Sequence, residues 1–253
     1  MLVIEDLQVM MGDKELLKHI DLEIRPGETH ILFGPNGSGK TSLIMTIMGY
    51  PQYRVTYGKI YFKGEDITNM PIDERARLGI GMSYQRPPSI KSLKTRHMVE
   101  ICSGDSADVD SLAGRINMTG FLDRDINVGF SGGEIKRSEL LQLMSQKPDL
   151  LLFDEPESGV DLENIALIGT TINELLERDH TPTKDKSVKE IKKPRSRMGL
   201  VITHTGFILD YVTADQGQVL YDGVLACKSN PVEIFKQIKS VGYEECVRCG
   251  SET

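Results

Sequence analysis

The chain has 253 residues, 39% apolar and 26% charged, with a net charge of −7 and a pI near 5.4. That composition excludes a disordered chain and argues against nucleic acid as the main partner. Its apolar runs are strand-sized, far short of the eighteen or more residues of a membrane span, so no direct membrane insertion is expected. The length suits one large domain, no basic-then-apolar leader opens the sequence, and four cysteines are too few for a disulfide scaffold, so a cytoplasmic location is the expectation.

Leu2 to Val9 and Ile20 to Ile24 alternate as strands. Thr29 to Phe33 is a short apolar strand running into a glycine-rich turn, and a helix follows from about Gly39 to Met48. Lys59 to Phe62 is another strand, with a turn at Gly64-Glu65-Asp66. Pro71 opens a helix whose first turn carries Asp73 and Glu74, suited to its positive end. Ile80 to Tyr84 is a strand, halted before Pro87 and Pro88. Lys91 to Asn127 reads as helical. Phe130-Ser131-Gly132-Gly133 opens a helix through Met144, Leu150 to Phe153 is a strand of the fully buried type, and a helix runs from Leu162 to Glu177.

The texture then changes. Arg178 to Arg197 holds eight Lys/Arg against three Asp/Glu, in a chain that is acidic as a whole. Such a stretch buries little apolar surface and reads as a basic insertion, about 178–198, that is either a solvated loop or a docking arm. Gly199 to Thr203 is again a buried strand, Asp222-Gly223 centres a hairpin, and Asn230-Pro231 caps a last helix to about Lys239. The tail, about 241–253, contains Cys246 and Cys249.

Three motifs carry chemistry. Gly34-Pro35-Asn36-Gly37-Ser38-Gly39-Lys40-Thr41 fits G-x-x-x-x-G-K-[ST], between a predicted strand and a predicted helix. Glycines turn successive backbone N–H groups inward around a phosphate, and the helix adds the positive end of its dipole. Lys40 is suited to reach the β and γ phosphates, and the Thr41 hydroxyl to hold Mg²⁺. The strand Leu150 to Phe153 ends in Asp154 and Glu155, the first placed to steady Mg²⁺ and the second to polarise an attacking water. Ser131-Gly132-Gly133-Glu134 offers a second helix N-terminus as a second anion site, with a plain helix cap as the alternative reading.

With these residues in hand the chain resembles the ABC-type ATPases along nearly all its length. The resemblance implies an α/β nucleotide-binding domain: a RecA-like P-loop core with a mixed sheet, an antiparallel β subdomain, and a small helical subdomain at about 86–138. It implies Mg²⁺-dependent ATP hydrolysis. ATP would be held by Gly34 to Ser42, with Lys40, Glu155 and His204 as the catalytic set. Mg²⁺ would be held by Thr41, Gln85 and Asp154. Ser131 to Glu134 match the signature motif, Gln85 the Q-loop, Asp161 in Ser158-Gly159-Val160-Asp161 the D-loop, and His204 the switch histidine. It also implies a homodimer closing on two ATP.

A narrower resemblance is to the SufC group, ATPases of iron–sulfur cluster assembly. It rests on Glu134 ending the signature, on Lys136-Arg137 after it, on Met48-Gly49-Tyr50-Pro51, and on Val241-Gly242-Tyr243. It implies a SufB-like scaffold as partner. The short stretch between Gln85 and Ser131 fits a reduced, archaeal-type two-component system. The other reading is the ATP-binding subunit of a membrane transporter. Cys246-Val247-Arg248-Cys249 is a C-x-x-C whose thiolates suit zinc or an iron–sulfur cluster shared with a partner, or else belong to a tail with no such role. Cys102 and Cys227 have no partner nearby in sequence. Between Met1 and Leu32 there is no Phe, Tyr or Trp to stack on adenine, which leaves Met10 or Met11 beside the base.

Overall fold

The computed structural model describes residues 1–104, 108–178 and 195–250. Most of the expected basic insertion therefore lies outside the described residues, as does the end of the tail.

Among the described residues the strands form two sheets. The larger has the order β10-β9-β3-β8-β7-β6, from Val224–Ser229, Gln216–Tyr221, Thr29–Phe33, Met198–Ile202, Leu150–Asp154 and Ile80–Ser83. Its strands run parallel except β10, which returns antiparallel through the turn at Asp222-Gly223. The smaller sheet is antiparallel, ordered β2-β1-β4-β5, from Lys14–Ile24, Leu2–Met11, Arg54–Phe62 and Glu65–Asp66.

The central strands are buried along their length and mostly apolar because both faces are covered. On β3, Ile31 and Phe33 join one core with α5 (Gly132–Gln146), α6 (Leu162–Leu175) and α7 (Pro231–Gly250). Leu32 points the other way, into a second core with α1 (Lys40–Met48), α2 (Ile72–Leu78) and the antiparallel sheet. Leu151 and Phe153 on β7 split from Leu150 and Leu152 in the same way. This period of two fixes the register.

Neighbouring strands β3, β8 and β7 run parallel and in step, with Leu32 opposite Ile202 and Asp154 opposite Ile202. Their C-terminal ends share one edge. That edge receives the turn after Phe33, the carboxylates at Asp154 and Glu155, and Thr203-His204, which is where ligands bind in open α/β sheets.

Three expectations need correction. Lys91 to Asn127 is two short helices, α3 (Thr95–Ser103) and α4 (Val109–Arg115), and a 3₁₀ turn at Thr119–Phe121. Gly104 in a left-handed conformation ends the first of them. The last helix does not stop near Lys239. It kinks at Gly242 (φ 83°, ψ 173°) and resumes to Gly250, so Cys246 sits inside it. Arg178 is not the start of a solvated arm: only 2% of it is exposed. It donates to the Thr29 hydroxyl (2.8 Å) and the Gly27 carbonyl (3.0 Å) and pairs with Asp215. Among the described residues no helix is long and apolar enough to cross a membrane.

Candidate functional site: a nucleotide cassette

The loop Gly34 to Gly39 joins β3 to α1, and its shape depends on glycine. Gly34 has φ 156°, and a Cβ there would meet the Leu220 carbonyl oxygen at 2.3 Å and Ser38 Oγ at 2.7 Å. Gly39 caps α1 in a left-handed conformation with no side-chain hydrogen bond, so the first N–H groups of α1 are left to a ligand.

Lys40 is buried, and its Nζ donates to the carbonyls of Gly34 (2.7 Å) and Pro35 (2.9 Å). Burial pushes its pKa down, while the carboxylates of Glu155 and Asp154 pull it back up. The Thr41 hydroxyl donates to Asp154 Oδ2 at 3.0 Å. Burial holds the Asp154 carboxyl above the usual range, against that hydrogen bond from Thr41. Asp154 Oδ1 and Ser38 Oγ are buried without a hydrogen-bond partner. A hydroxyl oxygen beside a carboxylate with an unmet lone pair is the hard-oxygen donor set of Mg²⁺, so the residues fit that ion. Thr41 and Asp154 would hold it, and it would supply charge neutralisation for the phosphates.

Glu155 lies at the centre of the residues expected to act in catalysis. It is 6% exposed and has φ 49°, a left-handed conformation that a non-glycine residue adopts at a cost. Gln85 Nε2 donates to its Oε2 at 2.6 Å, and His204 Nδ1 lies 3.0 Å from its Oε1. Gln85, expected on Mg²⁺, and His204, expected in the catalytic set, thus both engage Glu155.

Ser131 begins α5 with a reciprocal cap: its N–H donates to Glu134 Oε2 (2.6 Å), and the Glu134 N–H donates to Ser131 Oγ (3.4 Å). A Cβ at Gly132 would come within 2.2 Å of the Gly159 carbonyl oxygen, so the signature packs backbone on backbone against the Ser158–Asp161 turn. Asp161 caps α6, accepting from the Asn164 N–H and side-chain amide (2.9 Å each), and these bonds hold its carboxyl below the usual range.

Four residues near this edge have no chemical role legible in the sequence, although Lys136 and Tyr243 lie in stretches that carry the family resemblance. Tyr243, just past the kink, brings its hydroxyl to the Gly34 backbone N–H; burial raises its pKa. Glu139, Lys136 and Glu157 are buried carboxylates and a buried ammonium. A carboxylate embedded in Ser138-Glu139-Leu140-Leu141 is the one available signal, since such groups are buried only when paired. Cys227, without a partner nearby in sequence, meets one in the fold. Its Sγ donates to the Cys246 carbonyl at 2.9 Å and lies 3.9 Å from Cys246 Sγ, and Cys246 is fully buried. Among the described residues no group of three or more His, Cys, Asp or Glu could hold a metal ion.

A phosphate loop, a carboxylate pair at the end of a buried strand and a second capped helix start, on a mixed sheet, define a nucleotide-binding cassette. A family model described as ABC transporter matches residues 17–158, and the chain belongs to that family. It is an ATPase that binds ATP and Mg²⁺. It is 32% identical to the "Probable ATP-dependent transporter SufC" of Escherichia coli (strain K12), over 96% of this chain and 97% of that one. It is 33% identical to the "Probable ATP-dependent transporter ycf16" of Cyanidium caldarium, over 96% and 95%. A solved nucleotide-free ATP-binding cassette from an ABC transporter shares the fold, with a TM-score of 0.74, 22% identity and 94% of each chain covered.

Proposed function

We propose that this ATPase drives conformational change in a SufB-like scaffold during iron–sulfur cluster assembly. The observation that carries this reading is the similarity to the protein named SufC over nearly the whole of both chains. In this reading Lys40 grips the phosphates, Asp154 and Thr41 hold Mg²⁺, Glu155 polarises water, and Gln85 and His204 orient Glu155. Ser131 to Glu134 of one copy complete the site of a second, so two copies close on two ATP. The helical segment at about 86–138 acts as the partner-facing subdomain. Beside Gln85 it borders a groove of about 670 Å³ lined by Met82, Pro87, Met98 and the largely exposed Ile101, an apolar bed for a partner segment.

Other relatives, such as one from Streptococcus pyogenes serotype M18 at 32% identity, are named as probable ABC transporter ATP-binding proteins, which keeps a transporter subunit as the second reading. Purification of the native complex separates the two. A scaffold without membrane-spanning segments is expected to accompany this chain; an integral membrane protein in its place would overturn the assembly reading.

A zinc ion or cluster at Cys246 and Cys249, shared with the scaffold, belongs to the same reading, and it requires Cys246 to leave its buried place beside Cys227. Replacing both tail cysteines with serine is then expected to lower the metal content of the purified complex and leave hydrolysis by the free subunit unchanged. Unaltered metal content would remove the tail from the account.

Adenine recognition is expected to be weak. Met11 ends β1 and is 44% exposed, and it or Met10 would meet the base in place of an aromatic ring. Stacking is worth roughly 1–3 kcal/mol per base in single-strand binding, taken here by analogy. Titration of the free subunit should therefore give weak ATP binding and modest discrimination against GTP. A sub-micromolar affinity without the partner would contradict this.

A further inference from the structure

Glu155 is gripped by Gln85 and His204, and each of those residues sits on a loop. Loops do not hold a side chain to a fraction of an ångström unless something holds the loop. Two buried carboxylates that take no part in the nucleotide site do so here, one for each loop.

Glu139 lies on α5, two turns beyond the signature, and is 4% exposed. Its Oε1 accepts from the backbone N–H of Tyr84 at 2.7 Å, and its Oε2 accepts from the Ser83 hydroxyl at 3.0 Å. Lys136, one turn earlier and 3% exposed, donates to the Tyr84 carbonyl and lies 3.5 Å from Glu139 Oε2. Both backbone groups of Tyr84 are thereby fixed to α5, and the next residue is Gln85. The second carboxylate, Glu157, is 6% exposed. Its Oε1 accepts from the hydroxyls of Thr203 and of Thr205, the latter at 2.9 Å. These threonines flank His204. The Thr203 hydroxyl also accepts from the Gly206 N–H at 2.9 Å, which closes the loop after the histidine.

We propose that Glu139 and Glu157 are positioning residues for hydrolysis, Glu139 with Lys136 setting Gln85 and Glu157 setting His204, so that the two together aim Glu155. The pattern is specific. Each carboxylate accepts from hydroxyl and backbone groups within two positions of the residue it positions, Glu139 also facing Lys136, and neither bonds to Glu155 itself. Burial makes each arrangement stiff, because a displaced carboxylate would find no water to replace its partners. Burial also raises the Glu139 pKa, while Lys136 and the hydrogen bonds from Tyr84 and Ser83 oppose that rise. Glu139 further links Gln85 to the helix that begins at Ser131, so a shift of the signature end moves the Gln85 loop with it.

The inference rests on the roles given above to Gln85, His204 and Glu155, and its test is built to separate the two. Glu139→Gln and Glu157→Leu are each expected to lower kcat about 10–100-fold, the scale on which misplacement of catalytic groups acts. ATP affinity should stay within about twofold, since neither residue touches the phosphate loop. The decisive readout is a double-mutant cycle. Glu139→Gln should add nothing further in a Gln85→Ala background, and Glu157→Leu nothing further in a His204→Ala background. The crossed pairs, Glu139→Gln with His204→Ala and Glu157→Leu with Gln85→Ala, should each give more than either single change. Ser83→Ala and Thr203→Val remove one hydroxyl each and provide the same comparison if a carboxylate variant fails to fold. If all pairs multiply independently, or if ATP affinity falls in step with kcat, the carboxylates are only structural and the inference fails. If Gln85→Ala and His204→Ala themselves leave kcat unchanged, the reading of the site fails and takes the inference with it.

Discussion

Replacing Glu155 with glutamine is expected to slow ATP hydrolysis about 10²–10⁴-fold, the range a positioned general base contributes. Glutamine keeps the size and one acceptor oxygen, so Gln85 still has a hydrogen-bond partner. What is lost is the negative charge that would take a proton from water. Lys40 keeps its bonds to Gly34 and Pro35 and Thr41 its bond to Asp154, because none of them runs through Glu155. ATP binding should therefore survive. Steady-state hydrolysis and equilibrium binding of ATP by the same variant give both numbers. A rate within a few-fold of the parent would remove Glu155 from the chemistry.

Replacing Arg178 with alanine is expected to destabilise the fold by about 2–4 kcal/mol, because it empties a buried guanidinium site, leaves the Gly27 carbonyl without its donor and takes the cation from the partly exposed Asp215. Asp215 would keep its bond from the Thr29 N–H at 2.7 Å but lose its cation, and the Gly27 carbonyl would lose its donor. At about 2–4 °C per kcal/mol for a chain of this size, the melting temperature should fall by roughly 4–16 °C. Lysine should restore only part of this, because one ammonium cannot reach Thr29, Gly27 and Asp215 in the fork geometry of a guanidinium. A melt shifted by less than 2 °C would show that the basic stretch starts at Arg178 after all. (The threshold is roughly one kcal/mol or less on the same scale.)

The sheet and its phosphate loop are readable from sequence because their signals are local. Thr29 to Phe33, five buried residues ending in the apolar Ile31-Leu32-Phe33, run straight into a glycine loop and a helix, and Leu150 to Phe153 run straight into Asp154. The Asp222-Gly223 hairpin is legible for the same reason, a turn chemistry confined to two residues. What the sequence hides is set by contacts between distant segments. Arg178 looks like one more charge in a basic run until Thr29, Gly27 and Asp215 surround it. Cys246 looks like a tail residue until the kink at Gly242 turns it against Cys227. Glu139 and Glu157 read as ordinary acids, since neither Ser83 and Tyr84 nor Thr203 and Thr205 is near them in the chain. The helical stretch from Lys91 misleads in another way: its apolar residues serve helices of nine and seven residues, too short to show a clear period.

The central claim is that ATP brings two copies together, with Ser131 of each completing the site built on Lys40 of the other. Sedimentation velocity of the Glu155→Gln variant tests it most directly, because slowed hydrolysis holds the ATP-bound state long enough to observe. The account predicts a monomer without nucleotide and a dimer with ATP and Mg²⁺. A species that stays monomeric at saturating ATP and Mg²⁺ would contradict it.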